Sequence, residues 1–494
     1  MNILVLFVAL PLLGAFLMPI MSAYFKRGFG AFTFLISLIL FAASAYLFAR
    51  PLAMPLVYSI GSWKLPFGIA WLLDPLAVFM LIVVNGITLF TVLYSLNYMQ
   101  QYTSQWKFYC LFLLLIAGLN GVVITGDMFN LFVFLEITSI ASYALVAYGT
   151  KAEEIEASFK YMVLGSVAST FVLIGIALLY AKTSTLNMFD ISLMLAQDPH
   201  SLHLKLFIAV LFIAGFGLKA ALVPFHSWLP DAHPSAPAPI SAMLSGVVIK
   251  TIGVYALTRV LFNIFGLNLM FKEALMALGG LSMFVGVILA IGQWDFKRLL
   301  AYHSISQIGY VVCGLATGTP LGIVGGLFHL LNHSIFKSLL FLNAGAVEYA
   351  TGTRELKKLG NLKEAMPITS WTSLVASLSI AGVPPFCGFW SKLVIIAALF
   401  QVNRIFYGSM AIIVGVITLA SFLKIQKYVF FRKTEKKIAH AKEVPLLMRW
   451  SMIGLAILCL LAGLCFAPIM KTMLWPAAEV LAGGAGYFMR IVMN

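Results

Sequence analysis

The sequence predicts an all-α polytopic membrane protein with about fourteen transmembrane helices, and three observations carry that expectation. Hydrophobic residues make up 62% of the 494 and charged residues only 10%, against about 25% charged in soluble domains. Apolar runs of about 20 residues, each long enough to cross a bilayer as a helix, recur from end to end. Two of these runs are interrupted by proline, at Pro224 and at Pro384 and Pro385, and they lie five spans apart. Five is odd, so a five-span unit repeated in tandem reverses its orientation. That predicts two inverted repeats, each with a discontinuous helix.

In chain order the expected spans are 3–22, 29–49, 75–97, 108–125, 128–149, 160–181, 205–226, 240–264, 271–292, 298–317, 321–348, 367–400, 403–425 and 448–470. Spans 1–3 occupy residues 1–107. Spans 4–8 form the first repeat, 108–264, and spans 9–13 the second, 271–425. Residues 426–494 hold a basic loop (FRKTEKKIAHAKE, 431–443, read as solvated), span 14 and a tail. The opening MNILVLFVALPLLGAFLMPI lacks a basic n-region and a small-residue cleavage site, so it reads as a retained first helix. Asp74 and Asp127 lie near span ends and read as helix starts. Spans 7 and 12 break because proline donates no backbone hydrogen bond. Such breaks persist in lipid only where protein or water satisfies the freed groups.

An even number of spans puts both termini on one side. With the N-terminus outside, the inside loops hold 19 Lys and Arg and the outside loops 9. Both termini are therefore expected on the non-cytoplasmic side of the cell membrane. The net charge of +15 fits loops beside anionic lipid headgroups. No aromatic-basic module or finger spacing points to nucleic acid. The five cysteines form no CxxC pair; an iron–sulfur cluster needs clustered thiolates, so buried structural thiols are the reading. No cofactor or metal is expected in this chain.

Four of the 32 Lys and Arg remain, all lysine and all well inside spans: Lys219, Lys250, Lys337 and Lys392. A charge at the bilayer centre costs about 2.5–3.5 kcal/mol on insertion scales. Lysine suits proton work because burial can pull its pKa toward neutrality, whereas arginine stays protonated. The bland reading, a lysine that snorkels or pins a helix to a carboxylate, fits one of them better than all four. The clearest acid deep in a span is Glu136, whose own helix offers no cation; Lys219 is a candidate partner. In LFHLLNHSIFKSLLFLNAGAVE, His329, His333 and Lys337 are four apart, so they share one helical face and climb about 12 Å. Two imidazoles and an amine in a row read as a proton relay, and Glu348 falls on nearly the same stripe. His pairs at this spacing can also bind a metal, but no acid or thiol nearby completes the ligand set. His303 reads equally as an extension of the relay or as a hydrogen-bonding residue at the membrane interface. Each proline break makes a short wet gap beside a lysine, Lys219 at Pro224 and Lys392 at Pro384 and Pro385.

With those residues on the page, KAALVPFHSWLPDAHPSAPAPISAMLSGVVIKTIGVYAL resembles the signature segment of the antiporter-like subunits of respiratory complex I, Mrp cation/proton antiporters and membrane-bound hydrogenases. GDMFNLFVFLE, HSIFKSLLFLNAGAV and AGVPPFCGFWSK resemble other motifs of that family. The resemblance covers at least residues 70–425. It implies a fourteen-helix fold with inverted five-helix repeats, with Glu136 and Lys219 as the ion pair of helices 5 and 7 and Lys250 as the bridging lysine of helix 8. His329, His333 and Lys337 match the central connection on helix 11, and Lys392 the charged exit residue on helix 12. Lys392 argues against the subgroup with glutamate there. The chain stops soon after span 14, unlike the distal complex I subunit with its lateral helix. SIGSWKLPFGIAWLLDPLA resembles both the Mrp D-type and the hydrogenase-type branches.

The leading expectation is a proton-translocating membrane subunit of a larger ion-pumping complex, without a redox site of its own. Its partners would be other membrane subunits and lipid, with iron–sulfur, nickel or flavin proteins in a hydrogenase or dehydrogenase. The rival readings are a quinone-binding redox membrane subunit and a passive anchor, which has little reason to bear four buried lysines.

Overall fold

The computed structural model describes residues 3–50, 54–63, 65–198, 202–432 and 441–493. Most of the 431–443 basic loop and Lys64 therefore lie outside the described residues. The chain is a membrane-integral, multi-pass helical protein. Among the described residues, thirteen helices are long and apolar enough to cross a bilayer. The first eight are α1 (Ile3–Tyr24), α2 (Phe29–Ala49), α3 (Pro75–Tyr98), α4 (Gln105–Ile124), α5 (Met128–Val146), α6 (Ala152–Thr183), α7 (Leu202–Lys219) and α8 (Ala238–Ile264). They continue as α9 (Leu269–Ile291), α10 (Phe296–Ala316) and α11 (Pro320–Thr351), then α13 (Ile405–Phe431) and α14 (Leu446–Leu464). Between α11 and α13, the expected twelfth span, α12, is two halves, Pro367–Ala381 and Cys387–Gln401, of 15 residues each. Counting it gives fourteen. The broken helices α7 and α12 are each the fourth of five, as two inverted five-helix repeats require.

Polar residues begin the helices at the positions the sequence indicates. Asp74 accepts the Ala77 amide at 2.8 Å to open α3, and Asp127 accepts the Asn130 amide at 2.7 Å to open α5. Several boundaries differ from expectation. Helix α6 starts at Ala152, eight residues early, because Glu154 reaches back to the Lys151 amide at 3.0 Å. Lys160 is consequently on a helix, not in a loop, and pairs with Glu156 at 2.7 Å and Asp231 at 3.2 Å. Helix α7 ends at Lys219, short of 226, and α13 runs on to Phe431. Several elements are additional to those expected. A two-stranded antiparallel hairpin, β1 (Leu56–Ser59) and β2 (Ala70–Leu73), pairs Leu56 with Leu73. A short helix spans Met188–Gln197, and the tail after α14 is helical over Trp475–Ala482 and Gly484–Met493.

Burial divides the helices sharply. The most apolar windows of α8 and α11 are fully buried and that of α10 is 94% buried, whereas α13 is only 33% buried. Small residues let the inner helices touch. A Cβ on Gly309 of α10 would sit 2.5 Å from the Gly279 carbonyl oxygen and the Met283 amide of α9, so only glycine permits that crossing.

Two cations that the sequence groups with the loops are buried in the structure. Lys297, near the start of α10, is 2% exposed, and Arg259, in α8, is 4% exposed. Arg259 pairs with Asp74 at 2.6 Å and donates to the Tyr255 hydroxyl at 3.0 Å. Asn263, one turn on, donates to the Val480 carbonyl at 2.8 Å. This cluster ties α3, α8 and the helical tail together. Breaking a buried ion pair by removing one partner costs about 3–5 kcal/mol. Asp74→Asn, which keeps the helix cap, and Arg259→Met should each lower the thermal unfolding midpoint in detergent. The double variant should lose less than the two single losses combined.

Candidate functional site

The first proline break is held by side chains. After Lys219, Ala221 adopts a left-handed backbone (φ +55°) and its amide turns back to the Leu218 carbonyl at 3.0 Å. The Trp228 indole also donates to that carbonyl at 2.9 Å, and the Val223 amide donates to Ser282 Oγ of α9 at 2.9 Å. Gly253 of α8 lies against the break, where a Cβ would come 2.5 Å from Ala220 Cα. Lys219 Nζ points away from these carbonyls. It donates to Ser139 Oγ at 2.9 Å and lies 3.7 Å from Glu136 Oε1, an ion pair rather than a hydrogen bond at that length. The Ser169 hydroxyl of α6 donates to the same carboxylate oxygen. The structure thus brings Glu136 and Lys219 together from α5 and α7. The lysine side chain is 3% exposed and the glutamate side chain 30%.

The second break is answered differently. In an uninterrupted helix the carbonyls of Ile380 and Ala381 would take the amides of residues 384 and 385. Both are proline and have no N–H. Lys392 Nζ supplies the missing donor, at 2.7 Å from the Ile380 oxygen and 3.4 Å from the Ala381 oxygen. It also lies 5.0 Å from the Tyr310 ring centroid. Gly382, at φ +83°, ends the first half in the left-handed region that favours glycine.

Between the breaks lie the remaining groups. Lys250 is fully buried in a stretch of α8 wound as a π-helix, Leu244–Tyr255, and donates to the Ser245 carbonyl. Such widened turns recur at functional sites. On α11, His329 and His333 stack at 6.3 Å with an interplanar angle of 12°, as a shared helical face requires. His329 Nδ1 shares a hydrogen bond with Ser391 Oγ at 2.9 Å, and Nε2 lies 3.1 Å from Gln307 Oε1. Neither nitrogen of His333 has a hydrogen-bond partner among the described residues. Lys337 Nζ donates to the Leu300 carbonyl at 2.6 Å. No direct hydrogen bond joins Lys219 to Lys250, Lys250 to Lys337, or His329 to Lys392 among the described residues.

Two candidate relay residues have partners of their own. His303 is fully buried in α10, with Nε2 2.8 Å from Ser421 Oγ. Glu348 lies further along α11. It pairs with Lys297 at 2.7 Å and approaches Arg354 at 4.0 Å. Three groups escape the sequence reading. Arg259 and Lys297 lie close enough to span ends to count with the loops. On α10 a rotation of 100° separates buried Lys297 from Arg298, whose side chain is 46% exposed. His233, in the quoted motif PDAHPSAP, is fully buried, and neither ring nitrogen meets hydrogen-bond geometry with a partner among the described residues. Among the described residues no group of three or more His, Cys, Asp or Glu is placed to hold a metal.

Two family models match the chain. One, described as NADH:quinone oxidoreductase/Mrp antiporter, transmembrane region, covers residues 125–419. The other, the N-terminus of chain 5 of NADH-ubiquinone oxidoreductase (complex I), covers residues 58–109. The chain is 37% identical over 428 residues to the D-type subunit of the Na(+)/H(+) antiporter of Alkalihalophilus pseudofirmus, with 86% of each sequence covered. It is similar to a chain of the membrane-bound sulfane sulfur reductase, an archaeal respiratory membrane complex, at TM-score 0.91, 30% identity and 99% coverage of both chains. It is likewise similar to a chain of the Mrp complex from Dietzia sp., at TM-score 0.88, 28% identity and 99% coverage of both.

The two breaks differ in a way that can be measured. Lys392→Met removes the donor to two carbonyls that have no other partner among the described residues, a loss of about 1–3 kcal/mol for a buried group left unsatisfied. Faster amide hydrogen exchange is expected across residues 386–392. Lys219→Met should leave exchange at 220–228 nearly unchanged, since Trp228 and Ser282 hold that turn.

Proposed function

The chain belongs to the NADH:quinone oxidoreductase/Mrp antiporter family of membrane subunits, and on that premise we propose that it translocates protons within a larger ion-pumping complex of the cell membrane. The observation that carries this reading is the set of buried amines and imidazoles on the most enclosed helices. Among the described residues, Lys250, Lys337 and Lys392 have carbonyl partners and no carboxylate. A passive anchor gains nothing from uncompensated amines at mid-membrane depth.

Lys219 beside Glu136 holds its proton, because an adjacent carboxylate favours the charged form of the amine. Weakening that pair sends the proton toward Lys250, then by Lys337, His333 and His329 to Lys392 and outward. Bridging water carries it where side chains do not touch. Repulsion between successive ammonium groups, strong in a low-dielectric interior, couples one site's charge to the next. Prolines 224, 384 and 385 keep both ends of the route from closing into regular helix. His303 flanks the α10 side of the axis, and Glu348 lies at the end that the loop charges assign to the cytoplasm. Both termini then face away from the cytoplasm.

The partners are other membrane subunits. The Glu136 side chain, 30% exposed, would face hydrocarbon in the isolated chain at a cost of several kcal/mol, so a neighbouring subunit covers it. Any redox driving force comes from iron–sulfur, nickel or flavin partners in a hydrogenase or dehydrogenase; an Mrp-type assembly is driven by an ion gradient. The proteins that co-purify with the chain distinguish these.

In everted membrane vesicles holding the whole complex, Lys219→Ala and Glu136→Ala should each cut coupled proton movement on the order of a hundredfold, the scale lost with a proton-transferring group. Native gels should show unchanged assembly. Wild-type rates in both variants would remove the mechanism.

A further inference from the structure

On the face that the loop charges assign to the cytoplasm, a vestibule of about 270 Å³ opens between the two repeats. Glu153, Lys160, Asp231, Asp295, Arg298 and Arg354 line it. They are cross-linked by ion pairs, among them Arg354 to Asp295 at 2.5 Å and Arg298 to Asp231 at 3.4 Å. Glu348, 4.0 Å from the lining Arg354, pairs with Lys297 at 2.7 Å. Arg354 and Lys297 also grip one backbone segment. Arg354 donates to the Pro234 carbonyl at 2.8 Å, and Lys297 to the Ala236 carbonyl at 3.3 Å.

That segment carries His233, which the route described above does not use. Its ring is fully buried, 5.9 Å from the Trp228 ring and 5.8 Å from the Phe341 ring. The same Phe341 ring lies 5.8 Å from Lys337 Nζ. The backbone oxygen of His233 is held by Ser241 Oγ at 2.7 Å, so the residue's position is fixed while neither ring nitrogen meets hydrogen-bond geometry with a partner among the described residues. A buried imidazole normally has its nitrogens satisfied. A neutral imidazole that accepts a proton on one nitrogen and releases one from the other passes protons without net change once the ring resets.

We propose that His233 is the inlet junction, through which protons gathered in the charged vestibule join the axis at Lys337 and Lys250. The proposal rests on the axis reading, so Lys250→Ala is measured beside it. Everted vesicles holding the whole complex expose the vestibule to the medium. Proton movement is followed with a ΔpH-sensitive dye after a pulse of sodium or electron donor. His233→Asn, close in size and non-titrating, and His233→Ala, which leaves room for a small base, should each lose on the order of a hundredfold with assembly unchanged on native gels. Imidazole in the medium should restore His233→Ala severalfold and leave Lys250→Ala inactive. Retention of more than half the wild-type rate by either assembled histidine variant overturns the junction, as does a loss that imidazole does not relieve. If Lys250→Ala also transports normally, the axis itself has failed and not only its inlet.

Discussion

Within a bilayer every backbone polar group must be answered by protein or by water in a cavity, and this molecule is organised around that requirement. Two helices are broken by proline in mid-span. Each break exposes backbone that lipid cannot solvate, and each is closed by side chains: at one the Trp228 indole donates to a carbonyl and Ser282 Oγ accepts an amide, and at the other the Lys392 ammonium donates. The same requirement governs the cations. Arg259 has Asp74, Lys297 has Glu348 and Lys219 has Glu136, while the central lysines settle on main-chain oxygens. Close glycine contacts, such as Gly253 against Ala220, let the helices pack tightly beside the first break.

Burial separates tasks among the helices. Helices α8, α10 and α11 are almost wholly enclosed and carry Lys250, His303, His329, His333 and Lys337. The outer helices shield them and are apolar around most of their circumference. An enclosed setting strengthens interactions between charges, so a proposed relay on these helices feels its neighbours more than it would near the surface. The vestibule, by contrast, is lined with mutually paired acids and bases, which suits contact with water.

The architecture is legible in the sequence because its signals are physical and local. Apolar run length reports a span, proline reports a break, and a four-residue spacing reports a shared face, which the stacked rings of His329 and His333 display. Glu136 and Lys219 stand out as candidates, but their approach depends on how α5 packs on α7. What the sequence hides has equally physical causes. Helix ends in a membrane protein are poorly marked, so Lys297 and Arg259 count with the loops although one turn of helix buries them. The hairpin β1–β2 has strands of four residues, too short to stand out among apolar spans. His233 sits in a proline-rich stretch, with prolines at 230, 234 and 237, where no helical face can be read in advance.

The two ends of the proposed route are built from different materials. Lys219 rests against the Ser139 hydroxyl and a titratable carboxylate that itself accepts from Ser169, whereas Lys392 rests against main-chain oxygens whose charge never changes. One terminus can therefore be tuned, by protonating Glu136 or shifting whatever covers it, and the other is a constant reference. A scaffold of two similar halves with one adjustable and one invariant pole gives a partner subunit a single end at which to act.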